Sequence, residues 1–97
     1  MIKDKYLKDI TEIIARELRD TTGEVFLFGS SIQKDIFGDC DLGVMGEVSE
    51  ENVRRLKEAF AQSTLPFHFD VVNFNKVSPA FKNNVFNNKI LWIKHSP

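Results

Sequence analysis

The sequence predicts an α+β fold, with amphipathic helices laid on a small β-sheet. Two observations carry this. Residues 2–20 and 49–62 repeat apolar side chains at three- and four-residue spacing, the period of a helix with one buried face. Residues 24–28, 39–45 and 67–74 are short apolar runs set off by Gly, Pro and Asp, the pattern of strands. A length of 97 residues suits one domain, residues 1–97.

Taken in order, Tyr6, Leu7, Ile10, Ile13, Ile14 and Leu18 form the stripe of the first helix, and Thr21-Thr22-Gly23 ends it, with Gly23 expected as a left-handed cap. Glu24 to Phe28 is almost continuously apolar, as in a buried central strand. After Gly29-Ser30-Ser31, residues 32–37 make one or two helical turns with Ile32 and Ile36 on a shared buried side, and Gly38 stops them. In the strand from Asp39 to Met45, alternation sends Asp39, Asp41 and Gly43 to one face and Cys40, Leu42 and Val44 to the core. Cys40 then reads as a small buried hydrophobe.

Ser49 opens a capping box whose last position is Asn52, and Glu50 and Glu51 suit the positive end of the helix dipole. Val53, Leu56, Ala59 and Phe60 are its buried stripe, with Arg54, Arg55 and Lys57 turned to solvent. Thr64-Leu65-Pro66 turns into a strand over residues 67–74, where Phe67, Phe69, Val71 and Asn73 share one face and His68, Asp70, Val72 and Phe74 the other. Ser78 at N-cap and Pro79 at N1 start a last helix reaching about Asn87. Residues 89–94 are a short strand or an extended tail, and His95-Ser96-Pro97 is expected to fray.

The bulk numbers exclude several classes. The net charge is −1, so no basic stripe announces direct nucleic-acid binding. One cysteine permits no internal disulfide, which fits the cytoplasm. No apolar run approaches the ~18 residues of a membrane span, so no membrane association is expected. Nine phenylalanines exceed what the length demands; they fill a small core or serve a partner surface.

The chemistry-bearing stretch is VFLFGSSIQKDIFGDCDLGV, residues 25–44. Asp39 and Asp41 share a strand face about 6–7 Å apart. Like charges held roughly 4 Å apart at an effective dielectric near 20 cost about 4 kcal/mol. A fold that keeps such a pair together usually binds a hard cation, and Mg²⁺ takes few carboxylates, completing its shell with water and substrate phosphates. Gly29 lets backbone approach a ligand, and a helix starting at Ser30-Ser31 turns free N–H groups toward a phosphate. Asp70 lies inside an apolar run, where a buried carboxylate is costly unless paired or metal-bound. His68 shares its face and is more simply a structural histidine.

FLFGSS followed by DCDLGV resembles the signature of the DNA polymerase beta-like nucleotidyltransferase superfamily, and within it the minimal nucleotidyltransferase group. The resemblance spans nearly the whole chain. It implies a small mixed β-sheet with helices packed mainly on one face. It also implies transfer of NMP from ATP or another NTP to a hydroxyl, with two Mg²⁺ ions bound by Asp39, Asp41 and Asp70. Gly29, Ser30 and Ser31 would hold the nucleotide phosphates. The run after Gly29-Ser30 departs from the pattern in carrying a single basic residue, Lys34, and Gly38 stands where a serine usually precedes the first aspartate.

Such proteins are often paired with a helical HEPN-type protein, so the resemblance implies an antitoxin that adenylylates its toxin. The alternatives are an antitoxin acting by complex formation with little catalysis, and transfer to a small-molecule alcohol. The base, the acceptor and homo-oligomerisation are left open.

Overall fold

The computed structural model describes residues 1–35 and 37–95. The elements run α1 (Asp4–Glu17), β1 (Glu24–Phe28), α2 (Ser30–Gln33), β2 (Asp39–Met45), α3 (Glu50–Ala61), β3 (His68–Asn73), α4 (Pro79–Phe86) and β4 (Leu91–Lys94). Among the described residues no helix is long and apolar enough to cross a membrane. The expected pairing of Ile32 with Ile36 involves a residue outside the described ones, as does the expected fraying at Ser96-Pro97; His95, expected to fray with them, instead stacks on Trp92 at a centroid distance of 3.9 Å.

The sheet is mixed, with strand order β3-β2-β1-β4. β1 pairs antiparallel with β2 and with β4, whereas β2 and β3 run parallel. A parallel pair needs a crossover, and α3 supplies it. The final segment is therefore a strand, shorter at its start than residues 89–94.

One sheet face lies under α1 and α3. Val25, Leu27, Cys40, Leu42, Val44 and Val71 pack with Ile10 and Ile14 of α1, Leu18 just after it, and Val53, Leu56 and Phe60 of α3. The alternation expected along β2 holds: Cys40, Leu42 and Val44 are buried in this core. Burial pushes the Cys40 thiol up to about 11, so it stays protonated and unreactive.

The opposite face carries an aromatic cluster. Phe26 is fully buried, with the rings of Phe28, Phe74, Phe86 and Trp92 at centroid distances of 5.8, 4.9, 5.1 and 5.2 Å. Val85 and Phe86 of α4 close it. Gly43 lies opposite Phe26 in register, and a Cβ there would sit 2.3 Å from the ring's Cζ. The phenylalanines mostly fill the interior; Phe81 is the large exposed one among those described, at 40%.

The capping box of α3 forms as its sequence dictates. The Asn52 N–H donates to Ser49 Oγ at 3.0 Å, and the Ser49 N–H donates to Asn52 Oδ1 at 2.9 Å. Ser78 Oγ likewise accepts from Phe81 N–H at 3.2 Å, with Pro79 in the first turn.

The expectation for Gly23 is overturned. α1 ends at Glu17, where Leu18 N–H donates to Ile14 O, and Gly23 has no positive φ. Space is what it answers to, because a Cβ would meet Val48 Cγ1 at 2.2 Å. Lys94 closes the helix end instead, donating from Nζ to Leu18 O and Thr21 O at 2.9 and 2.5 Å. The short helix also starts earlier than residue 32, directly after Gly29, and stops at Gln33.

Candidate active site

The aromatic face of the sheet becomes acidic at one end. β2 lies between β1 and β3, and its first residues set the pattern. Asp39 stands beside His68, and Asp41 is flanked by Phe28 of β1 and Asp70 of β3. Neighbouring strands lie about 4.8 Å apart, and side-by-side residues of a parallel pair point the same way. Three carboxylates therefore share one face of two adjacent strands.

Their environments differ. Asp39 and Asp70 are exposed and Asp41 is half-buried. Burial, then the charges of Asp70 and Asp39, push the Asp41 carboxyl above its ordinary value of 3.8, while His68 works in the opposite direction. His68 Nδ1 is 3.6 Å from Asp39 Oδ1, an ionic contact when the imidazole is protonated, but too long for a hydrogen bond. The side chains of this pair are 80% and 70% exposed, so the contact is weak.

Exposure of Asp70 corrects one step of the sequence reasoning. Its placement was argued from the cost of burying a carboxylate, and no such cost exists. What places it is register: Asp70 is level with Asp41.

Gly29 follows β1 with φ 78° and ψ −152°, a conformation that only glycine adopts without strain. A Cβ there would lie 2.5 Å from Asp41 Oδ2, so the turn runs directly past this carboxylate. Ser30 opens α2, and Lys34 N–H donates to Ser30 O at 2.9 Å. Ser31 points elsewhere. It is fully buried, its Oγ has no hydrogen-bond partner of good geometry among the described residues, and its polar neighbour is the Cys40 thiol. Any contact of Ser31 with a phosphate falls to its backbone, because its hydroxyl faces the core.

Among the described residues, no three His, Cys, Asp or Glu side chains are drawn close enough together to hold a metal ion as they stand. The donor chemistry nevertheless suits Mg²⁺: only oxygen ligands, on adjacent strands, with mutual repulsion that a cation would relieve. Asp41 is anchored against the turn, and Asp39 and Asp70 are exposed beside it.

Beyond Gly29, a cavity of about 200 Å³ opens between the turn and the end of α4. Phe28 and Val85 wall it, and Gln33, Asn84, Asn88 and Lys89 supply its polar groups. Sequence reasoning missed this hollow. Its parts lie more than fifty positions apart, and no local pattern signals that the end of α4 meets the end of β1.

Comparison with solved structures places the fold. The crystal structure of a toxin–antitoxin with AMP-PNP superposes with a TM-score of 0.66 at 22% identity, over 89% of this chain and 73% of that one. A crystal structure from Shewanella oneidensis superposes with a TM-score of 0.63 at 20% identity, over 93% of this chain and 72% of the other. No curated protein matches the sequence. Residues 8–97 match the family model described as Polymerase beta, Nucleotidyltransferase. With the match running from within α1 through β4, across both the glycine turn and the three aspartates, the chain belongs to the polymerase beta nucleotidyltransferase family and is a nucleotidyltransferase.

Proposed function

We propose that this chain transfers AMP from Mg²⁺-bound ATP to a hydroxyl on a partner protein, and that it is the antitoxin of a toxin–antitoxin pair acting in the cytoplasm. The partner we favour is a helical protein of the HEPN type. The observation that carries the reading is the register of β2 and β3, which sets Asp70 beside Asp41 on the face that also holds Asp39, next to the Gly29 turn. A structural neighbour that is a toxin–antitoxin with AMP-PNP supports both the adenine base and the protein partner.

In this reading Asp39 and Asp41 hold the metal, and Asp70 joins them on the acceptor side. Bound Mg²⁺ would neutralise charge on the attacking and leaving oxygens. The acceptor hydroxyl gives up its proton to solvent, its oxygen bonds to the α-phosphorus, the bond from that phosphorus to the bridging oxygen breaks, and pyrophosphate leaves. Gly29 and Ser30 present the backbone along which the phosphates lie. The chain's own contribution is positioning and a fixed electrostatic field.

The test is incubation with α-labelled ATP, Mg²⁺ and the product of the adjacent reading frame. Label should appear on that partner and vanish with a chelator. Absence of transfer from all four NTPs by the folded protein would overturn the reading. The single basic residue after Gly29-Ser30, Lys34, favours one alternative, an antitoxin that works by complex formation alone. Neutralisation of the toxin that survives Asp39→Asn with Asp41→Asn would select it.

A further inference from the structure

We infer that Lys89 supplies the positive charge for the β- and γ-phosphates of the nucleotide, inside the cavity beside Gly29. The inference rests on the proposed NTP site and assigns it a residue that neither the motif nor the family match identifies.

The argument begins with a deficit. A triphosphate brings several negative charges, and together with Asp39, Asp41 and Asp70 it would exceed what two Mg²⁺ ions held there could neutralise. The far end needs its own cation. The run after Gly29-Ser30 offers only Lys34, and Lys34 does not line the cavity; Gln33 does.

Lys89 fills the gap from the other end of the chain. It follows α4, lines the same hollow as Gly29, and carries the only formal charge among the described residues of the lining. Among the described residues its ammonium forms no ion pair, its recorded contact being Met1 Sδ at 3.9 Å. Gln33, Asn84 and Asn88 line the same space with amide groups able to donate hydrogen bonds, and among the described residues no carboxylate lines it.

Gly29 is the link between the two halves of the site. Asp41 lies against it, and the Lys89 cavity opens beside it. A phosphate chain crossing this glycine therefore passes from the carboxylate side, where metal binds, to the ammonium side. The larger groove between α1 and α3, of about 560 Å³, suits an anion less, because Asp9, Glu12, Glu17 and Glu58 outnumber its two cations, Arg16 and Arg55, which are already paired with Glu17 and Asp20.

Calorimetric titration with inorganic triphosphate and Mg²⁺ tests this without regard to base preference, with AMP as the comparator. Lys89→Ala should weaken triphosphate binding about 10-fold or more, the scale of one lost hydrogen-bonded charge. It should leave AMP affinity and the melting temperature unchanged. Lys89→Arg should restore most of the loss, and Lys34→Ala should change little. Equal triphosphate binding by wild type and Lys89→Ala would overturn the inference while leaving the NTP site standing. Failure of wild type to bind triphosphate or any NTP would instead remove the site itself, and the inference with it.

Discussion

A side chain on Gly29 would begin 2.5 Å from Oδ2 of Asp41. The turn after β1 and the second carboxylate of β2 thus compete for the same space, and glycine resolves the competition. It also tolerates a φ of 78° that other residues resist.

Gly29→Ala should accordingly fail twice. The backbone conformation costs about 1–3 kcal/mol of stability when a Cβ is present. The methyl group also drives the Asp41 carboxyl off its position. Urea denaturation should show the first effect. Nucleotidyl transfer measured well below the melting temperature should show the second, as a loss of rate larger than any unfolding explains.

Asp41→Asn should raise the melting temperature of the metal-free protein at neutral pH. The folded-state pKa of Asp41 lies above the unfolded value of 3.8. Between those two values the native chain holds a proton that the unfolded chain has lost. Stability therefore falls as pH rises through the window, and stays lowered above it. The advantage of the Asn variant should disappear in acid below the usual carboxylate range. Saturating Mg²⁺ should raise the wild-type melting temperature and leave the variant nearly unmoved.

Gly43→Ala should destabilise the sheet by about 1–3 kcal/mol, because the new methyl overlaps the Phe26 ring in an already filled cluster. The effect belongs to packing. Chemical denaturation should register it, while triphosphate affinity per folded molecule stays the same.

Ser49→Ala removes the hydroxyl that accepts from Asn52 N–H and leaves the capping box half-made. A loss of about 1 kcal/mol in unfolding free energy is expected. Because α3 forms the crossover that sets β3 beside β2, the same variant should show faster amide exchange along β3.

Most of the sheet was legible because its strands state their own alternation. Cys40, Leu42 and Val44 turn inward and Asp39 and Asp41 outward, as the period of two requires. The Ser49–Asn52 box and the Ser78–Pro79 start were equally local, and both formed. Gly23 misled because a glycine after a helix has two uses, and here close packing against Val48 decides, not handedness. Ser31 misled for a similar reason: a serine beside a phosphate turn reads as a ligand, but tertiary packing sends its hydroxyl into the core. For Asp70 the position was right and the stated cause wrong. The run FHFDVVNF suggested a buried strand, whereas the strand lies at the edge of the sheet and this face is open at its His68 and Asp70 end.

Asp70 meets its two partners only across a parallel strand pair whose members are separated in the chain by all of α3. Translation therefore delivers two carboxylates well before the third, and a nascent chain that stalls ahead of β3 holds a pair with nothing to complete it. On the proposed assignment of the three aspartates, catalytic competence would arrive only with the finished sheet. A fragment released early from the ribosome would carry the glycine turn and the first two aspartates and still lack the third.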